Sequence, residues 1–203
     1  MRFALLLCVL LSFQFPTLAA KDGSEIQADE LYPRVKLETS MGDIEVELDR
    51  KRAPITVNNF LRYVNRGSYD NTIFHRIVPN FVVQGGGYDA EFNAQPAFTP
   101  IFNESGNGLK NDLYTIAMAR QDSPHSANRQ FFFNAKDNDS LNPGRRWGYT
   151  VFGQILSGAE VVDAMATVET EYNMKVGWQN VPVEPVMLIK ATILPPPSLQ
   201  QSE

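Results

Sequence analysis

The residue types that carry most enzymatic chemistry are sparse in this 203-residue chain, which has two histidines, His75 and His125, and one cysteine, Cys8. Neither an HExxH spacing nor a cluster of thiols occurs, so the ligand set for a zinc site is missing. Asp122, Ser123, His125 and Ser126 are the residue types of a hydrolytic triad. Close neighbours in a polar, proline-containing loop rarely assemble one, and no Gly-x-Ser-x-Gly elbow supports it. Gly85-Gly86-Gly87 lacks both the GxGxxG pattern and the GK[ST] ending of phosphate loops, and predicts close backbone packing or a sharp turn instead. Asn103-Glu104-Ser105 and Asn138-Asp139-Ser140 fit the glycosylation sequon, a short pattern that also arises by chance.

The elements that must position any site read as mainly β. Val35–Thr39 and Ile44–Leu48 alternate apolar with polar residues around a turn at 40–43, which predicts a hairpin with one apolar face. Pro54 suits a first helical turn, Val57, Phe60, Leu61 and Val64 follow helical spacing, and Gly67 can end the helix in the left-handed region. Short β-rich runs follow at Ile73–Val78, Phe81–Gln84, Tyr114–Ala119, Gln130–Asn134 and Tyr149–Ile155, a spacing that favours a barrel or sandwich. Ser157 and Glu160 stand in capping-box register before a second helix carrying Val161, Val162 and Met165. The last strand spans Val186–Ile193, with Met187, Ile189, Ala191 and Ile193 on one parity, and Pro195-Pro196-Pro197 then ends regular structure.

The ends read differently. Residues 1–20 combine Arg2, an apolar run from Phe3 to Phe13 and small residues at Ala19 and Ala20, the pattern of a secretory signal peptide. The run falls short of the roughly 20 apolar residues that a membrane helix needs, so stable membrane insertion is not expected. Cleavage near Ala20 would leave a chain with no cysteine and move the net charge from −5 to −6, which argues against nucleic acid as a partner. Residues 21–32 and 195–203 read as flexible segments around one domain, 33–194.

Three segments together resemble the cyclophilin family. Phe74-His75-Arg76-Ile77-Val78-Pro79-Asn80-Phe81-Val82-Val83-Gln84-Gly85-Gly86 is similar to its Phe-His-Arg strand, Pro-x-Phe turn and Gln-Gly-Gly exit. Ile116-Ala117-Met118-Ala119-Arg120 and, downstream, Asn128-Arg129-Gln130-Phe131-Phe132-Phe133 are similar to its Met-Ala and Gln-Phe-Phe strands. Tyr149-Thr150-Val151-Phe152-Gly153-Gln154-Ile155 resembles its Val-Phe-Gly strand, and a Val-Val-Asp helix follows. The resemblance spans Val35 to Leu194. It implies a closed eight-stranded antiparallel β-barrel capped by two α-helices, with the active site on the outer surface.

It further implies a peptidyl-prolyl cis-trans isomerase without metal or cofactor, acting on proline-containing unfolded or partly folded polypeptides. Arg76 would be the catalytic arginine. Phe81, Val82, Phe132 and Leu141 would wall the proline pocket, while Gln84, Ala119 and Gln130 bind the substrate backbone, with Arg120 and Tyr149 beside them. Arg120 stands where the family often has Asn, Tyr149 where it often has His, and Ser140 where cyclosporin-sensitive members have Trp. Weak cyclosporin binding is the expectation from the lost indole. Tyr149 and the Met-Ala-Arg run look like bacterial periplasmic members, which, with the signal pattern and the cysteine-free mature chain, predicts a periplasmic location; a monomer is the default.

The chemistry suits these residue types. Rotation about an X-Pro bond breaks no covalent bond but must overcome amide resonance, a barrier of roughly 18–20 kcal/mol. Taken singly, Arg76 reads as a surface ion-pairing residue and Phe81 and Phe132 as core; the joint pattern reverses that reading. His75 should lie on the opposite strand face from Arg76 and serve as a buried structural residue. Two rival classes are a proline-binding module that has lost turnover and an envelope protein that docks a partner through its termini.

Overall fold

The computed structural model describes residues 22–196; the segment read as a signal peptide and the chain beyond Pro196 lie outside the described residues. Two alternating runs open the fold as β1 (Arg34–Thr39) and β2 (Gly42–Leu48), paired from Arg34 opposite Glu47 to Thr39 opposite Gly42. Val35, Leu37, Ile44, Val46 and Leu48 are all fully buried, the single apolar face that the alternation predicts. Helix α1 (Pro54–Asn65) has proline in its first turn and buries Val57, Phe60, Leu61 and Val64. Gly67, at φ +62°, turns the chain away after it.

Short strands then follow as β3 (Thr72–Ile73), β4 (Arg76–Val78), β5 (Val82–Gly85), β6 (Thr115–Met118), β7 (Phe131–Asn134) and β8 (Val151–Ser157). Helix α2 (Ala159–Met165), the hairpin β9 (Thr170–Asn173) with β10 (Trp178–Pro182), and β11 (Met187–Ile193) complete the chain. The main sheet is antiparallel, in the order β3-β11-β1-β2-β8-β6-β7-β5-β4, and β9 pairs with β10 alone. The expected closed eight-stranded ladder is not what the hydrogen bonds trace. Phe74 and His75 interrupt the predicted strand Ile73–Val78 and divide it between the two edges of a nine-stranded sheet. Because those edges are two residues apart in sequence, the sheet curls into a half-barrel. Inside the curl Phe60 meets Tyr69, Phe131 and Phe152 at ring-centroid separations of 5.1, 5.5 and 5.2 Å.

Three other local expectations are corrected. Helix α2 buries Val161, Val162 and Met165 as expected, but its cap is Gly158 at φ +86°, with no side-chain capping bond. Ser157 is still in β8, and a Cβ on Gly158 would lie 2.3 Å from the Asp43 carbonyl oxygen, so close approach to β2 decides the residue there. In β11 the parity breaks: Glu38 faces Lys190 but Thr39 faces Leu188, leaving Ile189 as the extra residue of a bulge. Leu188 and Ala191 are therefore buried and Ile189 is 47% exposed. Finally, residues 22–32, read as flexible, are tied to the body by Arg50. Its guanidinium donates to the carbonyls of Ile26, Gln27 and Glu30, and Gln27 Nε2 donates to the Leu194 carbonyl.

Candidate active site

The two-residue period of the strands sends one set of side chains into the curl and the other to its outer face. On β7, Phe131 and Phe133 join the core while Phe132 points the other way; on β5, Val83 is inward and Val82 outward. Strand register then lines up one outer row: Arg76 opposite Gln84, Gln84 opposite Phe132, Phe132 opposite Ala117, and Ala117 opposite Val151. Val82, Ala117, Phe132 and Val151 form an apolar cluster distinct from the core, with Phe81, Leu109, Ala119, Leu141 and Tyr149 packed on it. An apolar cluster on the outside of a sheet, with a cation at its rim, has the composition of a binding site.

Of the ten residues expected at the site, nine line one cavity of about 310 Å³: Arg76, Phe81, Val82, Gln84, Ala119, Arg120, Phe132, Leu141 and Tyr149. The tenth, Gln130, borders the adjoining cavity of about 160 Å³ and is joined to the first by hydrogen bonding. Arg76 Nη1 donates to Gln84 Oε1 at 3.2 Å, and Gln84 Nε2 donates to Gln130 Oε1 at 3.0 Å. This relay fixes the amide of Gln84, because the arginine can only donate and so turns the carbonyl oxygen towards itself. Arg76 is half-buried; burial pulls its guanidinium below its ordinary value, and Tyr149 nearby opposes that. A guanidinium starts so high that it stays charged, and partial burial strengthens its field.

Arg120 is engaged differently from a group held ready for a ligand. Its Nε donates to the Gly148 carbonyl at 3.2 Å, Nη2 to Trp147 at 2.8 Å, and Nη1 to Gln121 and Asp122. The guanidinium also lies 4.6 Å from the centre of the Tyr149 ring. It lines the cavity as a brace for the 147–149 segment. Tyr149 in turn meets Phe132 edge-on at 5.8 Å.

Residues absent from the sequence expectation hold these walls in place. Buried Asn138 donates to the Phe81 carbonyl and to Asn134 Oδ1, both at 2.8 Å. Asn111, also buried, donates through Nδ2 to the Leu141 and Tyr149 carbonyls and through its backbone to Asn142 Oδ1. Buried Arg129 donates to the carbonyls of Ser68, Gly86 and Pro96, pinning the turn after Gln84. Gly85, Gly86 and Gly87 pack closely there, as expected: added Cβ atoms would lie 2.7 Å from the Phe74 ring, 2.9 Å from Phe131 and 2.6 Å from Gln130 Nε2. Both sequons are structural, since Asn103 and Asn138 are 3% and 2% exposed and their amides are committed to backbone carbonyls. A period argument finds apolar faces; it has no signal for buried asparagines whose partners are far apart in sequence.

His75, on the other face of β4's entry, is buried, and burial followed by Arg76 pushes its imidazole down to about 4. It packs on Tyr88 and Trp178 and not in the proline-sized cavity. His125 stacks on Phe102 at 4.5 Å and accepts from the Asn103 amide, apart from Ser123 and Ser126, which bond to each other. No triad is assembled there. Among the described residues no group of three or more His, Cys, Asp or Glu is placed to hold a metal ion, and no helix is long and apolar enough to cross a membrane.

Comparison with known proteins agrees with this geometry. The family model described as cyclophilin type peptidyl-prolyl cis-trans isomerase matches residues 34–193. The chain is 49% identical over 164 residues to peptidyl-prolyl cis-trans isomerase cyp18 of Streptomyces antibioticus, covering 79% of this chain and 98% of that one. It is 43% identical over 163 residues to peptidyl-prolyl cis-trans isomerase B of Escherichia coli, covering 78% and 98%. A crystal structure of a Cryptosporidium parvum cyclophilin type peptidyl-prolyl cis-trans isomerase superposes with a TM-score of 0.64 at 25% identity, covering 82% of this chain and 99% of that one. The same protein was crystallised in the presence of the dipeptide Ala-Pro, and that structure matches with a TM-score of 0.62. An outward row from Arg76 to Val151 on a curled sheet, in a chain that matches the family model over residues 34–193 and these relatives at 43–49% identity, places it in the cyclophilin-type peptidyl-prolyl cis-trans isomerase family.

Proposed function

We propose that this protein accelerates cis–trans rotation of X-Pro bonds in exported polypeptides, with Arg76 as the group that weakens amide resonance. The observation that carries the reading is the juxtaposition of a half-buried arginine, held by Gln84, with the apolar side chains of Phe81, Val82, Phe132 and Leu141 in one cavity of about 310 Å³ on the outer face. Phe81, Val82, Phe132 and Leu141 hold the proline ring. Gln84 and Gln130, linked to each other, fix the backbone on one side, so that the other side of the bond turns. As the prolyl nitrogen pyramidalises in the twisted state, its lone pair leaves conjugation and accepts from Arg76. Raising a process of about 0.01 per second to about 1,000 per second needs about 7 kcal/mol of preferential transition-state stabilisation. A charge-assisted hydrogen bond from a half-buried arginine and a held ring would supply it.

The test is prolyl isomerisation in a short X-Pro peptide, followed by NMR exchange or a protease-coupled assay, with the chain lacking residues 1–20 and its Arg76→Ala variant. Acceleration by the first and its loss in the folded variant is the expected result. Binding of the peptide with no acceleration by the unaltered protein would replace the isomerase with a proline-binding module.

Export to the periplasm rests on the pattern of residues 1–20 and a following chain without cysteine, and a monomer is the default state. Recovery of the protein from the periplasmic fraction with an N-terminus near Lys21 is the expected outcome; retention of residues 1–20 in a cytosolic fraction contradicts it. Cyclosporin should bind weakly, because exposed Ser140, in the 3-10 turn Asp139–Leu141, offers neither an indole wall nor its N–H. A nanomolar inhibition constant would overturn that expectation.

A further inference from the structure

Three cavities adjoin one another through shared lining residues. The cavity at Gln121, Ser126 and Asn128 shares Gln84, Ala119 and Arg120 with the central one, and the central one shares Arg76 with a third, of about 220 Å³. The third lies beyond edge strand β4, where the β9–β10 hairpin covers it, and is walled by His75, Tyr88, Trp178 and Gln179. Its aromatic rings form a continuous wall: Tyr88 and Trp178 are 4.7 Å apart, and His75 lies 4.8 Å from Tyr88 and 5.8 Å from Trp178. Tyr88 and Trp178 are only partly buried, so ring surface remains open to the cavity. Nothing in the isomerisation chemistry uses this wall.

We propose that the His75–Tyr88–Trp178 cavity is a second substrate subsite that receives an aromatic or large apolar side chain a few residues from the proline. The proposal rests on the isomerase reading and adds a sequence preference to it. Continuity determines the occupant: a chain whose proline lies in the central cavity, and whose one flank is held by Gln84 and Gln130, leaves past Arg76 into this space. Edge-on and tilted ring contacts, together with Arg76 at the rim, suit a π-faced side chain over a charged one. The carboxamide of Gln179 can satisfy a peptide or phenolic group at the mouth.

The experiment compares X-Pro peptides in which a single phenylalanine replaces alanine at each of four positions on either side of the X-Pro pair. At one position the wild-type kcat/KM should rise about tenfold, mainly through KM, the size of burying part of an aromatic ring. That ratio should collapse towards one in Trp178→Ala and return in part in Trp178→Phe. A wild-type profile that is flat across all positions, or a preference that Trp178→Ala leaves intact, overturns the subsite. A second readout does not depend on turnover or on folding of the alanine variant. The chain has two tryptophans, so Trp147→Phe leaves Trp178 as the sole indole reporter. Its emission should shift on titration with the best phenylalanine peptide and not with its all-alanine counterpart at equal occupancy; equal responses overturn the proposal. Loss of turnover with every peptide would count against the isomerase reading, while this titration would still decide the subsite.

Discussion

Gly87→Ala separates the stability of the fold from the order of the site. A Cβ there would sit 2.6 Å from Gln130 Nε2 and 2.7 Å from its Cδ and Cγ, with no backbone atom among the three nearest. Gly87 has no left-handed φ, so the backbone accepts alanine and the clash must be relieved by Gln130. Moving that side chain out of its rotamer costs about 0.5–1.5 kcal/mol. It also breaks the 3.0 Å bond from Gln84, a net loss of about 0.5–1.5 kcal/mol. The melting temperature should therefore fall by about 2–12 °C. With Gln84 released on that side and Gln130 displaced, kcat/KM for an X-Pro peptide should drop about five- to tenfold, mostly in KM. A double-mutant cycle with Gln130→Ala gives the decisive number. Gln130→Ala removes the atoms that the new methyl strikes, so the double variant should be no less active than Gln130→Ala alone, a coupling of about 1 kcal/mol. Additive losses, or a Gly87→Ala variant with unchanged KM, would refute the view that this glycine exists to seat Gln130.

Other outcomes follow from charged and polar groups. His75 is pushed down to about 4 by burial and by Arg76, against an ordinary value of 6.5, so the unfolded chain binds its proton first. Its contribution is therefore complete above pH 6.5 and fades as the pH falls towards 4; urea titrations should lose about 1 kcal/mol between pH 7 and 5.5, a slope absent in His75→Phe. Arg50→Ala strands the carbonyls of Ile26, Gln27 and Glu30 and should cost about 2–4 kcal/mol. Hydrogen exchange should show residues 22–32 released, while peptide turnover stays near wild type because none of them borders the cavity.

How far the sequence carried depended on whether the signal was local. Alternation gave β1 and β2, and 3.6-residue spacing gave α1, because each buries one face against a single core. The site row was legible through the family resemblance and not through period: Arg76, Gln84 and Phe132 fall in its motifs, and the strand register then sets them outward, opposite in parity to Phe131 and Phe133. What escaped prediction depends on contacts distant in the chain. The bulge at Ile189 inverts the parity of Met187 and Leu188, and only the register against β1 reveals it. The hairpin β9–β10 carries little apolar alternation, since Thr170–Asn173 is largely exposed and pairs only with Trp178–Pro182. Apart from the Asn138–Asn134 bond, the asparagine network that seats Phe81, Leu141 and Tyr149 joins residues 23 to 57 positions apart and leaves no periodic trace. Arg120 belongs to both groups: its place at the cavity was legible, but its commitment to the carbonyls of Trp147 and Gly148 was not.

The measurement closest to the centre of this account is the NMR exchange rate of one X-Pro peptide with equal concentrations of wild type, Arg76→Ala and Arg76→Lys. Arg76 is held by Gln84 at the rim of the cavity that Phe81, Phe132 and Leu141 line, and its fork cannot be replaced by a single ammonium. The account predicts that Arg76→Ala, folded by circular dichroism and still binding peptide, loses about a hundredfold or more in catalysed exchange, and that lysine restores little of it. Exchange at the wild-type rate in Arg76→Ala would contradict the arginine-assisted mechanism outright.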